Sequence, residues 1–87
     1  MVYYISQKLH LSVNQIKSDS RDHSFSEARF ILMHFAHYYL NMTKVAIGEF
    51  LNRDHSTVVY GMKKCNNLLD TDKDFQRKFM MVKSKIV

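Results

Sequence analysis

Four consecutive polar residues, Asp54 to Thr57, offer a carboxylate, an imidazole and two hydroxyls from one short stretch of the chain. Such groups can recognise the edges of DNA bases. A carboxylate accepts a hydrogen bond from the amino group of cytosine, an imidazole meets purine acceptors, and a threonine methyl packs on the thymine methyl. For catalysis the sequence offers no comparable set, because no nucleophile stands at an interpretable spacing from a base. We therefore expect a binding protein rather than an enzyme.

These polar residues stand at the start of a predicted helix. Asp54 is a good N-cap residue, because its carboxylate can accept a hydrogen bond from a backbone amide two or three residues later. Apolar residues then recur at helical spacing and form one stripe: Val58, Met62, Cys65 and Leu69. The opposite side carries hydrogen-bonding side chains: Ser56, Tyr60, Lys63 and Asn67. A helix of this kind, preceded by a short turn, is what a helix-turn-helix inserts into the major groove.

The elements that must position this helix are predicted to be helical as well. The chain has no proline, only two glycines and 46% hydrophobic residues, which favours one all-α domain over residues 1–87. The third helix is apolar on most sides and is predicted to be the central core helix, beginning with a capping box of Ser24 and Glu27 or with Ser26 as the cap. About six helices are expected: residues 2–9, 12–16, 24–40, 44–51, 54–69 and 72–86, with the helix-turn-helix over about 43–69.

Turn residues support these boundaries. Asn41 can end the third helix in a left-handed conformation, Thr43 can cap the fourth, and Asn52 can take a positive φ in the turn before the recognition helix. Gly48 is costly inside a helix, and the expected compensation is a close helix–helix approach at that point.

Composition and charge limit the other possibilities. A net charge of +5 favours a polyanionic partner. The single cysteine, Cys65, cannot form an internal disulfide and is expected to be a core residue in a reducing compartment. No signal peptide or apolar run of about 18 residues is present, so a cytoplasmic protein without membrane contact is expected.

His34 and His37 have helical spacing but no third ligand, so no metal site is expected. We also expect no cofactor and no small-molecule substrate, because the chain has no phosphate-binding P-loop and is too short for a deep pocket.

The segment from Arg53 to Val58, Arg-Asp-His-Ser-Thr-Val, closely resembles a signature of one bacterial family. That signature, Arg-Asp-His-Thr/Ser-Thr-Val, belongs to the C-terminal DNA-binding domain of the replication initiator DnaA. The preceding residues 47–50, Ile-Gly-Glu-Phe, are similar to the helix before the signature, and weaker similarity extends from about Ser6 to Leu69. The resemblance implies a monomeric reader of an asymmetric, A·T-rich site similar to a DnaA box on double-stranded DNA.

The resemblance also implies roles for individual residues. Arg21, in the loop over residues 18–26, would enter the minor groove. Five residues would contact bases in the major groove: Asp54, His55, Ser56, Thr57 and Gly61. Phosphate contacts would come from five further residues: Arg29, His37, Lys44, Arg53 and Lys64. The loop departs from the family, because it carries Asp19 and Asp22 where Lys and Arg are usual, and the turn before Asp54 is one residue shorter than the family's glycine-rich turn.

Several functions stay open within and beyond this resemblance. The chain lacks the P-loop ATPase that accompanies this domain in DnaA, so it is either an excised domain or a stand-alone protein, and Met1 directly before a helix favours the latter. A stand-alone reader would serve replication initiation or its regulation, or transcription in a mobile element or phage. A helical adaptor for an unknown protein partner is a different class, using exposed apolar residues: Tyr3, Tyr4, Met80 and Met81. RNA fits less well, because its deep, narrow major groove excludes a helix.

Overall fold

Six α-helices joined by short connections make up residues 1–86, which the computed structural model of the protein describes, with side-chain positions given through residue 84. The helices are α1 (Val2–Leu9), α2 (Val13–Lys17), α3 (His23–Leu40), α4 (Lys44–Leu51), α5 (His55–Thr71) and α6 (Lys73–Ile86). The predicted all-α fold of about six helices with a helix-turn-helix is therefore confirmed. Within this described part, each helix is too short or too polar to cross a bilayer.

Helix α3 lies at the centre of the core, as its apolar composition predicted. Its buried residues include Ala28, Ile31, Leu32, Met33, Phe35 and Ala36. Helices α1, α2, α4 and α5 all pack against it. From α6, Phe79 stacks on Phe35 with ring centroids 4.9 Å apart. Both ends of α3 are exposed, His23 and Ser24 at its start and Tyr38 to Leu40 at its end, so α3 supports the domain through its middle, residues 27–36.

Helix α6 closes the core against α1 and α3. The Tyr4 hydroxyl donates to the Val82 carbonyl at 3.1 Å. The Lys78 ammonium donates to the Glu27 carboxylate at 2.6 Å, and His23 Nε2 lies 3.1 Å from the same carboxylate. Glu27 is only 2% exposed, so these partners compensate the burial of its charge.

The predicted capping box of Ser24 and Glu27 is wrong. Helix α3 begins at His23, and its cap is Asp22, whose carboxylate accepts from the Ser24 amide at 3.0 Å. Glu27 is consequently two positions further into the helix than a capping box requires, and it pairs with Lys78 instead.

The turn between α4 and α5 is closed by backbone bonds. Asn52 has a φ of 57°, as predicted, and the Arg53 amide donates to the Gly48 carbonyl at 2.7 Å. A Cβ on Gly48 would lie 2.5 Å from the Arg53 carbonyl oxygen. The close approach at Gly48 is therefore with the turn itself rather than with another helix, which corrects the prediction. Thr43 caps α4 and Asn41 ends α3 with a φ of 57°, both as predicted.

Replacing Gly48 with alanine tests this close approach. Alanine is favoured over glycine in a helix by about 1 kcal/mol, but the added methyl would collide with the Arg53 carbonyl. We expect Gly48→Ala to lower the free energy of unfolding by about 1–3 kcal/mol, measured by urea denaturation. Gly61→Ala is the matched control, because its methyl would meet the flexible end of Met33, and it should cost less. Equal stability of Gly48→Ala and the native chain would contradict the close approach.

The pH dependence of stability tests the position of His34. His34 packs edge-on against Phe79, with ring centroids 4.9 Å apart, and burial, followed by the charges of Lys83 and His37, lowers its pKa from 6.5. Since the unfolded chain then binds a proton more readily, the free energy of unfolding should fall as pH drops from 6.5 through the lower folded pKa. His34→Gln should reduce this loss, whereas His55→Gln, at an exposed histidine, should keep it. Thermal unfolding between about pH 7 and pH 5 measures this loss of stability. Identical curves of stability against pH for His34→Gln and the native chain would refute the role of His34.

Candidate nucleic-acid interface

Helix α5 presents a short polar surface at its amino-terminal end. Asp54, His55, Ser56 and Thr57 are all exposed. The opposite side of α5 packs on α3 and α4 through buried residues: Val58, Gly61, Met62 and Cys65. Burial raises the pKa of the Cys65 thiol to about 12, so this residue behaves as a core residue, as predicted. The core therefore fixes α5 and leaves its first turn free to contact a partner.

Asp54 occupies the predicted N-cap position of α5 but uses a different group. Its ψ of 154° is extended, as a cap requires, but its side chain forms no capping hydrogen bond. The Asp54 carbonyl accepts from the Thr57 amide at 3.0 Å. Its exposed carboxylate is thus available to an external donor, such as a base amino group.

The loop between α2 and α3 carries Arg21 on its surface. Two serine hydroxyls order this loop: Ser18 Oγ accepts from the Ser20 amide at 3.3 Å, and Ser20 Oγ accepts from the Asp22 amide at 3.1 Å. Arg21 follows Ser20 directly and is exposed. Its backbone therefore has a defined position while its side chain remains accessible.

An open cleft separates this loop from the start of α5. Phe30 and Met33 of α3 line part of this cleft, and the other lining residues are polar or charged: Asp19, Ser20, Arg21, Ser26, Arg29, Arg53, Thr57 and Tyr60. Of the residues predicted to contact DNA, the structure brings Arg21, Arg29, Arg53 and Thr57 together at this cleft. Tyr60, which is 60% exposed, was absent from the predicted contacts, although the helical spacing placed it on the outer face. The concentration of arginines makes the cleft a candidate site for an anion.

Arg29 has a different role from the one predicted. It is only 5% exposed, and its guanidinium donates inward to backbone carbonyls. The distances are 2.6 Å from Nε to Ile16 O, 2.8 Å from Nη1 to Ser20 O and 2.7 Å from Nη2 to Ser18 O. Burial, with the nearby charge of Arg53, lowers its pKa. The predicted phosphate contact is therefore corrected: Arg29 holds the loop against α3.

Gly61 also differs from its prediction. It is buried, and a Cβ added there would meet the Met33 sulfur and the Phe30 ring of α3. Gly61 therefore faces the core and not a base, which corrects the predicted base contact. The apolar spacing contained this information, since residue 61 lies three positions after Val58 and one before Met62, on the buried side. The resemblance alone had assigned it to the DNA side.

The other predicted phosphate contacts are spread over three helices and the turn. Lys44 begins α4 and Lys64 lies in α5, and both are half-buried. His37 Nδ1 lies 2.9 Å from the Met42 carbonyl, so Nδ1 carries the proton and Nε2 can donate to a phosphate only when the ring is charged. Arg53 Nη1 donates to the Leu51 carbonyl at 2.9 Å and Nη2 to the Ser18 carbonyl at 2.7 Å.

Comparison with known proteins places this geometry in a family. A family model described as the bacterial dnaA protein helix-turn-helix matches residues 2–65. The chain is 37% identical over 84 residues to the chromosomal replication initiator protein DnaA of Mycoplasma capricolum, with 95% of the chain and 19% of the relative covered. It is 31% identical to the same protein of Mesoplasma florum, with the same coverage, and 28% identical to that of Campylobacter concisus, with 100% and 20% covered. The chain thus spans about a fifth of the length of these relatives.

Shortening Arg29 tests its inward role. A lysine ammonium cannot bond the Ile16, Ser18 and Ser20 carbonyls with the geometry of a guanidinium, so buried acceptors would lose their donors. We expect Arg29→Lys to lower the free energy of unfolding by about 2 kcal/mol in urea denaturation followed by circular dichroism. Lys64→Gln, the control, should change it by less than about 0.5 kcal/mol. Native stability of Arg29→Lys would instead return Arg29 to the candidates for phosphate contact.

Proposed function

We propose, given that the chain belongs to the family of bacterial DnaA helix-turn-helix domains, that it binds double-stranded DNA and serves replication initiation or its regulation. In this proposal α5 enters the major groove and Arg21 enters the adjacent minor groove. The site recognised would be asymmetric, A·T-rich and similar to a DnaA box, and one copy of the chain would bind it.

The observation that carries this proposal is the cleft between the Arg21 loop and the first turn of α5. In B-form DNA one sugar-phosphate strand separates a major groove from the next minor groove, so a protein that reads both must straddle that strand. The two reading elements lie on either side of the cleft, and Arg21, Arg53 and Thr57 line it. A positively charged, hydroxyl-bearing cleft suits a phosphodiester. The cleft is thus the proposed binding site for the backbone of one DNA strand.

Base recognition would come from the exposed residues on each side of this strand. The free Asp54 carboxylate can accept from a cytosine amino group, and His55 can meet a purine acceptor. Ser56 and Thr57 can bond to bases or to phosphate. Arg21 suits an A·T-rich minor groove, because a narrow groove concentrates negative potential and attracts a weakly hydrated cation.

Phosphate contacts outside the cleft would set the register of the protein on the duplex. Lys44 and Lys64 are the proposed contacts, and His37 joins them only when its ring is protonated. Such contacts carry no sequence information, but they make affinity fall with salt. Arg29 and Gly61 take no part, because both are buried.

A protein-binding adaptor is the second candidate. Tyr3, Met80 and Met81 are 72%, 54% and 42% exposed and form apolar surface away from the core. Tyr4, which the sequence grouped with them, instead bonds the Val82 carbonyl and is half-buried. This candidate predicts no DNA binding.

Fluorescence anisotropy with labelled duplexes tests the proposal. The native chain should prefer a DnaA-type box over a scrambled duplex by at least tenfold, or about 1.4 kcal/mol. Arg21→Ala and His55→Ala should each remove most of that preference. Arg77→Ala is the matched control, because it removes an arginine of α6 that pairs with exposed Asp74, and it should keep the preference.

The possible outcomes separate the candidates. Equal binding of both duplexes, with a steep salt dependence and no effect of the variants, would reduce the domain to a nonspecific basic scaffold. Absence of binding to either duplex would favour the adaptor. Stronger binding to a hairpin RNA of the same sequence would contradict a major-groove helix.

A further inference from the structure

We infer that Arg53 is a positioning residue that joins the two DNA-reading elements, an inference that rests on the function proposed above. Its guanidinium connects the turn before α5 to the loop that carries Arg21. The two elements are 35 residues apart in sequence. A fixed distance between them would let α5 and Arg21 engage neighbouring grooves of one duplex together.

The geometry consists of two hydrogen bonds from one guanidinium. Nη2 of Arg53 donates to the Ser18 carbonyl at 2.7 Å, and Nη1 donates to the Leu51 carbonyl at 2.9 Å. Leu51 is the last residue of α4, and Ser18 begins the loop after α2. Arg53 therefore bonds at the same time to its own turn and to the distant loop.

The Ser18 carbonyl is also the acceptor for Arg29 of α3. Nη2 of Arg29 donates to it at 2.7 Å, so a single oxygen accepts from two guanidinium groups. A carbonyl oxygen has two lone pairs and can accept both bonds. Arg29 fastens the loop to α3, and Arg53 fastens the turn to the loop. The loop is thereby held from both sides.

Arginine is required for this contact, and lysine would not replace it. The two acceptors lie in different segments, and a planar fork reaches both with separate nitrogens. A lysine ammonium would keep the positive charge but present one point of contact. The pair Arg53→Lys and Arg53→Gln therefore separates the positioning contact from charge. If Arg53 served only as a phosphate contact, the lysine variant would resemble the native chain.

The experiment measures sequence preference one base pair at a time. Each base pair of the box is replaced in turn, and dissociation constants are measured for the native chain, Arg21→Ala, His55→Ala and Arg53→Lys. Arg21→Ala identifies the base pairs that depend on the loop, and His55→Ala those that depend on α5. We expect Arg53→Lys to lose about tenfold discrimination at the loop-dependent base pairs and to keep it within about twofold at the others.

The control variant removes a cation without a positioning contact. Lys44→Gln should weaken binding evenly across all base pairs and lower the salt slope by about 1. Arg53→Gln should reproduce the base-pair profile of Arg53→Lys. If Arg53→Lys discriminates as the native chain does, or if Arg53→Gln shows the even loss of Lys44→Gln, the inference is overturned.

A measurement without DNA keeps this inference separate from the proposed function. Amide hydrogen exchange, read by NMR, should rise about tenfold at Ser20, Asp22 and Arg53 in the Arg53→Lys variant, because the loop and the turn lose a charge-assisted bond. Native exchange rates in that variant overturn the inference whatever the DNA data show. If exchange rises but the native chain has no preference for the box, the proposed function fails and the positioning contact stands.

Discussion

The side of this fold that carries the proposed DNA interface depends on one buried guanidinium. Arg29 is almost fully covered and donates to carbonyls of α2 and of the loop that follows it. A loop of serines and aspartates buries little apolar surface, so its position must come from polar contacts. Arg29 supplies these contacts from α3, the most buried helix. The exposed Arg21 gains its defined position from this second arginine, which is itself buried.

Contacts from other elements also fix the position of α5. α5 is fixed on its apolar side by α3 and α4, and its start is set by the turn that closes on Gly48. Asn52 supplies the left-handed residue of this turn, a conformation that glycine adopts most easily. Because the turn is short, the backbone of Arg53 packs directly on Gly48. The side chain of Arg53 reaches the loop between α2 and α3.

Sequence reasoning recovered the helices and most of their caps, because these depend on local spacing and capping chemistry, but it misplaced the cap of α3. Thr43, Asn41 and Asn52 were each identified from their own residue type and close neighbours. It failed where a side chain contacts residues that are distant in the sequence. Glu27 was matched with Ser24, three residues away, whereas its partner is Lys78, 51 residues away. Arg29 was assigned to a phosphate by the resemblance, because no local pattern shows that its acceptors, 9 to 14 residues distant in α2 and in the loop after it, lie within reach. For Gly61, the apolar spacing was the better guide than the resemblance.

The two acidic residues of the loop between α2 and α3, Asp19 and Asp22, have structural roles. The loop carries Asp19 and Asp22 where the resemblance implies Lys and Arg, and Asp22 caps α3 through the Ser24 amide. The charge of Asp19 raises the pKa of Arg29, opposing the effects of burial and of Arg53. Two guanidinium groups that share the Ser18 carbonyl repel each other, and a nearby carboxylate offsets that repulsion. Asp19 therefore stabilises the arginine pair that positions the loop, and Asp22 fixes the start of α3. In the proposed complex, long-range attraction to DNA would then rest on Arg21 and on the lysines of α4 and α5, and the loop would contribute geometry more than charge.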